Sequence, residues 1–205
     1  MENIYSVFCF NIIVFISNID LFQLTKLRRL DIQSNRLTEI ENLTSQNDTL
    51  EELMLAHNGL TSESISLESG LALAFPKLNV LDLSRNQITD TKPLAHLISL
   101  EELWLSGNKI ATFDHVQPLN NLGQHILDTI YLEYNPVADE FEYRKKVAEM
   151  IPSLKQIDAN LIGGLATQGM QPGIRSGGPA QTAAEEMRRL QDAAIERAKE
   201  QAQGK

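Results

Sequence analysis

Five segments of the chain repeat one pattern of apolar residues that ends in asparagine, and this repeat constrains the fold more than any other feature. The pattern is L-x-x-L-x-L-x-x-N, with isoleucine in place of one leucine in two of the copies. Its asparagines follow one another at steps of 23, 28, 22 and 27 residues, at Asn35, Asn58, Asn86, Asn108 and Asn135. A pattern recurring at this spacing is typical of solenoids, in which each repeat stacks on its neighbours.

Each copy of the pattern predicts one short strand and one turn. The second and third apolar residues of a copy point into the core, and the residues before and between them point to the other face of the sheet. The asparagine lies where the chain turns, and its amide can bond backbone groups that the turn leaves unpaired, so we expect a ladder of asparagines. The repeat therefore predicts an α/β leucine-rich-repeat solenoid, a short horseshoe with a parallel concave sheet and a C-terminal helical cap.

The rest of the chain divides around these repeats. We expect a short helix that ends before Pro76 and a surface loop at 120–125 in the two longest repeats. An alternative for the N-terminus is a truncated product that lacks earlier repeats. The predicted parts are a degenerate first repeat or atypical N-terminus (1–26), the repeats (27–135), a C-terminal cap (136–162), a flexible linker (163–181) and a helical or disordered tail (182–205).

Charge and cysteine content exclude several classes of protein. The net charge is −9, and because the residues from Thr167 onward carry +1, the preceding 166 residues carry −10. Such acidity excludes a generic binder of the nucleic-acid backbone, so we expect no direct contact with nucleic acid. The single cysteine, Cys9, excludes a disulfide framework and indicates a reduced, intracellular compartment. The apolar stretch from Val7 to Ile16 is shorter than the roughly 20 residues of a membrane-spanning helix, so we expect no membrane segment.

No catalytic or cofactor motif is convincing. The four histidines are scattered without the spacing of metal ligands. The glycine pairs Gly163-Gly164 and Gly177-Gly178 open no strand–turn–helix unit that could hold a phosphate. We therefore expect no enzyme, no cofactor and no metal site.

The outward positions of the strands form the candidate binding surface. They place the single tryptophan, Trp104, beside Tyr131 of the next strand, with acidic residues nearby. Aromatic residues are enriched among the residues that dominate protein interfaces. The alternative is an ordinary solvated sheet face. The predicted partner-binding residues are Asp82, Glu102, Trp104, Tyr131, Met54 and Glu52.

Together the repeats and the segment after them resemble the leucine-rich-repeat regulatory subunits of protein phosphatase 1, of the regulatory subunit 7 type. The resemblance covers roughly Asn18 to Ile162. It is carried by the runs Ile32–Leu43 (IQSNRLTEIENL), Leu127–Pro136 (LDTIYLEYNP), Tyr143–Val147 (YRKKV), Ile151–Leu154 (IPSL) and Gln156–Ala159 (QIDA).

This resemblance implies a specific partner. In that family the concave face binds the phosphatase catalytic subunit, and the matching positions here are Asp82, Glu102, Trp104 and Tyr131, whereas Met54 stands where the family tends to carry an aromatic residue. It also implies a monomer that works in a hetero-complex, and we expect it in the nucleus and cytoplasm. Family members have about twice as many repeats. The alternative function is a structural scaffold of a ciliary or spliceosomal ribonucleoprotein assembly.

Overall fold

The computed structural model describes residues 6–8, 23–40, 43, 45–66, 75–123 and 126–162. The chain divides into a unit of residues 1–163 and a unit of residues 164–205, and the second lies outside the described residues. The predicted linker and tail, most of the predicted first repeat and nearly all of the helix expected before Pro76 also lie outside them.

One sheet of eight short strands runs through the described repeats, with the strands in the order of the chain. Strands β1 to β7 are parallel, and β8 turns back antiparallel to β7. The predicted parallel sheet is confirmed. The strands are β1 (Ser6–Phe8), β2 (Arg29–Asp31), β3 (Glu52–Met54), β4 (Val80–Asp82), β5 (Glu102–Trp104), β6 (Thr129–Tyr131), β7 (Gln156–Ile157) and β8 (Asn160–Leu161).

The apolar positions of the pattern form the core. The second apolar residue of every copy lies at the centre of its strand with no exposed surface, and these residues are paired across the sheet at Leu30, Leu53, Leu81, Leu103 and Ile130. Burial of each such side chain contributes about 2 kcal/mol. A slip of one residue would turn this whole set to the opposite face, so the leucines set the register as well as the core.

Short helical segments return the chain behind the sheet. The loop predicted at 120–125 is wrong for its first four residues, which form a helix, because Leu119 and Leu122 lie three residues apart and are both buried. In the described ranges no helix is long and apolar enough to span a membrane. The helices are α1 (Phe113–Val116), α2 (Asn120–Gly123) and α3 (Tyr143–Met150), with 3-10 turns at Lys92–Leu94, Gln117–Leu119 and Pro136–Asp139.

The asparagines form the predicted ladder, and each one from Asn58 onward joins two repeats. The amide oxygen of Asn86 accepts the backbone N–H of Leu60 at 3.1 Å. Its amide nitrogen donates to the carbonyls of Leu55 at 3.0 Å and of Leu83 at 2.9 Å, one in the preceding repeat and one in its own. Next to the side chain, the backbone N–H of Gln87 donates to the carbonyl of Leu60 at 2.8 Å. The same side-chain contacts to two repeats are made by Asn58, Asn108 and Asn135.

The residue before each ladder asparagine has a left-handed backbone, a feature that the sequence pattern did not predict. The φ angles lie between 54° and 70°. Only one of the five residues is a glycine, although a left-handed backbone costs other residues about 1–2 kcal/mol. The hydrogen bonds of the ladder therefore keep the four residues that are not glycine in a backbone conformation that they would otherwise avoid. The residues are Ser34, His57, Arg85, Gly107 and Tyr134.

A buried aspartate joins the cap to the last full repeat. Buried Asp158 accepts the backbone N–H groups of Leu132 at 2.9 Å and Glu133 at 3.0 Å. Its other oxygen accepts the hydroxyl of Tyr143 at 2.9 Å and lies 3.4 Å from the Arg144 guanidinium. Helix α3 thus provides one hydrogen-bond donor and one positive charge for this buried carboxylate. Burial and the adjacent aspartate raise the pKa of Tyr143 far above its usual value, so the hydroxyl remains a donor.

Removing one ladder side chain is expected to weaken the whole solenoid. In Asn86→Ala the buried N–H of Leu60 loses its acceptor, and three carbonyls lose a donor. We expect the free energy of unfolding to fall by about 3 kcal/mol, measured by urea denaturation. The exposed Asn160 is the control, since Asn160→Ala changes stability by less than about 0.5 kcal/mol. Equal losses in the two variants would contradict the role of the ladder.

The glycine in the row of left-handed residues gives a second test. Gly107→Ala places a Cβ at φ +70° and only 3.3 Å from the Cγ of Arg85. We expect a loss of about 1 kcal/mol in the free energy of unfolding, again from urea denaturation. The neighbouring Ser106→Ala serves as the control and changes stability by less than about 0.5 kcal/mol. If Gly107→Ala were as stable as the control, the turn would not require this backbone conformation.

Candidate protein-binding face

The strand register brings all six predicted partner-binding residues together in two rows on one face of the sheet. We call the first the aromatic row and the second the glutamate row. The aromatic row consists of Asp31, Met54, Asp82, Trp104 and Tyr131. The glutamate row consists of Arg29, Glu52, Val80, Glu102, Thr129 and Gln156.

Most of the aromatic row is buried, so the alternative of an ordinary solvated sheet face does not hold at these positions. The exposed fraction is 7% for Met54, 2% for Asp82 and 5% for Trp104, whereas Tyr131 is half-buried. The physical cause is local at two of them. The Asp82 carboxylate turns back onto its own chain, and the Trp104 ring packs against the ring of the next strand. Solvent reaches the face mainly through the glutamate row and Tyr131.

Trp104 and Tyr131 form an edge-to-face pair held in place by the cap. Their ring centroids are 5.9 Å apart and the ring planes meet at 75°. Gln156 donates one amide hydrogen bond to the Tyr131 hydroxyl at 2.8 Å and another to the carbonyl of Asp158 at 2.7 Å. The orientation of Tyr131 therefore depends on a residue beyond the last full repeat. Such aromatic pairs contribute about 0.5–1.5 kcal/mol beyond the area they bury.

Gln156 is the residue of this face that the sequence reasoning missed. The signal was present, because Leu154 and Ile157 repeat the first half of the pattern, L-x-x-I. Continuing the register by one strand pairs Gln156 with Thr129 and places it in the glutamate row. This copy has the small Ala159 at the third apolar position and Ile162 in place of the asparagine, so the full pattern does not identify it as a strand.

Glu102 is a half-exposed carboxylate without an ion pair in the described part of the chain. Burial raises its pKa, and the negative charges of Asp128, Glu101 and Glu52 raise it further. The nearby indole N–H of Trp104 opposes this shift. That N–H is buried and makes no hydrogen bond of normal geometry. Glu102 is thus a partly desolvated negative charge beside an aromatic pair.

Glu52 differs from Glu102 in having a partner within the protein. The guanidinium of Arg29 contacts its carboxylate and also lies 3.5 Å from Asp31. Within the glutamate row, Arg29 of β2 and Glu52 of β3 therefore form an ion pair. At β5, the charge of Glu102 has no ion-pair partner among the described residues.

Asp82 is held by its own turn. It accepts the backbone N–H of Ser84 at 2.8 Å. Burial raises its pKa, hydrogen bonds from Ser84 act in the opposite direction, and the charge of Asp31 raises it again. Asp82 therefore helps to shape the turn at β4 and presents little surface to a partner.

The chemistry of the face favours non-covalent binding. Within the described ranges, no group of three His, Cys, Asp or Glu residues is placed to hold a metal ion. The face combines a half-exposed acid at Glu102, an oriented ring at Tyr131 and buried Trp104 and Met54 below them.

Neutralising Asp82 is expected to stabilise the protein at neutral pH. Its pKa is raised in the folded state, so ionisation opposes folding, and stability falls as the pH rises above the usual range for aspartate. Asp82→Asn keeps an oxygen for the Ser84 N–H and removes the charge. We expect a higher Tm than wild type at pH 7, with the difference vanishing below about pH 3.

The measurement is thermal unfolding across this pH range, with the exposed Asp48→Asn as the control for loss of one negative charge. A Tm of Asp82→Asn below that of wild type at pH 7, or a difference independent of pH, would contradict the buried charge.

Comparison with known proteins gives matches to repeat proteins. The family model for Leucine Rich repeats (2 copies) matches residues 48–96 and 76–121. Acidic leucine-rich nuclear phosphoprotein 32 family member A of Drosophila pseudoobscura pseudoobscura is 32% identical over 137 residues, covering 65% of this chain and 48% of its own length. Protein phosphatase 1 regulatory subunit SDS22 of Schizosaccharomyces pombe is 41% identical over 72 residues, covering 34% of this chain and 21% of its own length.

The aligned segment spans less than half the length of each of these two relatives. Among solved structures, the Drosophila melanogaster SNF/U2A' complex contains a chain that superposes with a TM-score of 0.51 at 24% identity, covering 74% of this chain and 75% of that one. The parallel sheet, the asparagine ladder, the family model and this superposition agree. The chain therefore folds as a leucine-rich-repeat solenoid.

Proposed function

We propose that this protein is a non-enzymatic binding module that holds the catalytic subunit of protein phosphatase 1 on its concave face. The observation that carries the proposal is Glu102, which has no ion pair within the described residues and lies beside the Trp104–Tyr131 pair. The module would modulate maturation, localisation or substrate access of the phosphatase. It would not carry out dephosphorylation itself.

The electrostatics of the face define what the partner must bring. The first 166 residues carry a charge of −10, which speeds the encounter with a basic surface. At contact, a lysine or arginine of the partner would reverse the upward shift in the pKa of Glu102 by supplying the missing opposite charge. The cation would then lie against the ring of Tyr131, an arrangement that adds a cation–π attraction.

The predicted residues would contribute in different ways. Tyr131 and Glu102 are half-exposed and would touch the partner directly. Trp104, Met54 and Asp82 are buried and would act from below, by supporting the exposed groups. Glu52 would contact the partner only together with Arg29, because the two side chains are already paired.

Sequence relatives support this partner to different degrees. SDS22 is named as a regulatory subunit of protein phosphatase 1, and its 41% identity is confined to 72 residues. The longer match is to a protein named as an acidic nuclear phosphoprotein. Together with the single cysteine, these names support a location in the nucleus and cytoplasm. In its complex the protein would act as one copy.

Reversing the charge of Glu102 is expected to abolish most of the binding. We expect Glu102→Lys to weaken the affinity for the phosphatase catalytic subunit by about a hundredfold, and Glu102→Gln by about tenfold, because each leaves a partner cation without its counter-charge. Trp104→Ala is expected to weaken binding through loss of support for Tyr131. Affinities are measured by calorimetry or biolayer interferometry, and circular dichroism checks that each variant is folded.

Glu39→Lys is the matched control. Glu39 is exposed, outside the strands, and its reversal changes the net charge by the same amount as Glu102→Lys. We expect it to bind within about threefold of wild type, because a distant exposed charge is screened. Equal binding by Glu102→Lys and Glu39→Lys would overturn the proposed face. Affinity purification that recovers ciliary or ribonucleoprotein components in place of phosphatase would favour the scaffold function.

A further inference from the structure

The second asparagine of the ladder is followed by glycine, which makes it chemically different from the others. Asn58-Gly59 is the one Asn-Gly pair in the sequence. Glycine has no Cβ, so its backbone nitrogen can approach the preceding side chain with little hindrance. The other ladder asparagines precede larger residues, which are Arg36, Gln87, Lys109 and Pro136.

The closed ladder engages both reacting groups of this pair in hydrogen bonds to one residue. The amide oxygen of Asn58 accepts the N–H of Leu37 at 3.0 Å, and the N–H of Gly59 donates to the carbonyl of Leu37 at 2.8 Å. One residue of the preceding repeat therefore binds the side-chain amide and the backbone nitrogen at once. We call these two bonds the Leu37 clip.

Asn58 is also less shielded than the ladder asparagines after it. It is half-buried, whereas Asn86 and Asn108 are each 6% exposed and Asn135 is 2% exposed. Its amide nitrogen donates to three carbonyls at 3.0–3.3 Å, those of Ile32, Leu55 and Ala56. Local opening of a repeat contact exposes such groups without unfolding the whole protein.

We propose that Asn58 is a site of spontaneous covalent modification, and that the reaction proceeds only while the Leu37 clip is open. When the clip opens, the Gly59 nitrogen loses its proton to water or base and attacks the side-chain carbonyl carbon of Asn58. A new C–N bond closes a succinimide ring, the bond to the side-chain amide nitrogen breaks, and that nitrogen leaves with the proton as ammonia. Water then opens the ring at either carbonyl, producing aspartate or isoaspartate without any oxidant or reductant.

The product prevents the clip from closing again. Neither carboxylate product has the amide hydrogens that Asn58 donates to Ile32, Leu55 and Ala56. A negative charge would instead face three carbonyl oxygens, which repel it. The modification therefore converts a reversible opening between the repeat of Leu37 and the repeat of Asn58 into a permanent one. Strand β3, which carries Glu52 and Met54 of the candidate face, belongs to the loosened repeat.

The experiment compares deamidation of the full chain in native buffer and in urea at mildly alkaline pH, followed by peptide mass spectrometry with isoaspartate detection. In urea we expect Asn58 to convert before every other asparagine. In native buffer we expect Asn58 again to convert first, about a hundredfold more slowly, since only the open form reacts. No detectable conversion at Asn58 over a native incubation long enough for that rate would overturn the proposal, and so would equal native and urea rates.

Two variants separate the chemistry from the position. Gly59→Ala is expected to convert at least about tenfold more slowly in urea, because its Cβ hinders attack by the nitrogen. Lys109→Gly creates an Asn-Gly pair at the more buried Asn108, which should match Asn58 in urea and react more slowly than Asn58 in native buffer. The proposal would be overturned if Gly59→Ala deamidated at the wild-type rate in urea. It would also be overturned if, in native buffer, Asn108 of Lys109→Gly and Asn58 deamidated at equal rates.

The consequence for structure is tested with Asn58→Asp. We expect this variant to unfold at a lower urea concentration than wild type and to lose hydrogen-exchange protection at Leu37 and Gly59, where the clip lies. Wild-type protection at both amides would show that the carboxylate leaves the clip intact, and would overturn the claim that modification makes the opening permanent.

Discussion

The hydrogen bonds of the asparagine ladder are the interaction on which the rest of this structure depends. A three-residue strand cannot hold its register through its few backbone bonds alone, and each turn leaves backbone groups without partners. One asparagine amide satisfies carbonyls of two successive repeats, as Asn86 does with Leu55 and Leu83. The ladder therefore holds successive repeats together as one folded unit. Burial of the leucines contributes most of the favourable free energy of folding.

The same hydrogen-bonded ladder explains how the candidate face arises. Since the register is set by the ladder and the leucines, outward side chains at equivalent positions line up in rows across the strands. Trp104 meets Tyr131 for this reason, and Glu102 lies in the row beside them. The cap then orients the last ring of the face, because Gln156 donates a hydrogen bond to the Tyr131 hydroxyl. Asp158 accepts two backbone N–H groups of the last full repeat and takes its charge partner from Arg144. The residues that end the solenoid, Gln156 and Asp158, therefore lie next to the candidate face.

A ladder of buried amides also has a chemical weakness. Its bonds are strong when water is excluded and every donor is matched, and a single mismatched group is costly. Residues before the asparagines accept an unfavourable left-handed backbone to keep this geometry, and four of the five are not glycine. Where a glycine follows the asparagine, at Asn58, the same bonds also protect the side chain from its neighbour. Local stability in such a fold thus depends on the hydrogen bonds between each pair of neighbouring repeats.

The sequence by itself determined the repeat fold, the parallel sheet, the ladder and which outward residues share a row, because all of these follow from a period that is visible in the sequence. It also placed Met54, Asp82 and Trp104 correctly in their row but did not predict their burial, and it missed Gln156 and the helix at Asn120–Gly123. Only the tertiary structure decided which outward residues stay accessible, that Glu52 is paired with Arg29 and that Glu102 is not paired within the described chain. The physical reason is that periodicity fixes direction along one strand, whereas burial and charge pairing depend on side chains contributed by several repeats.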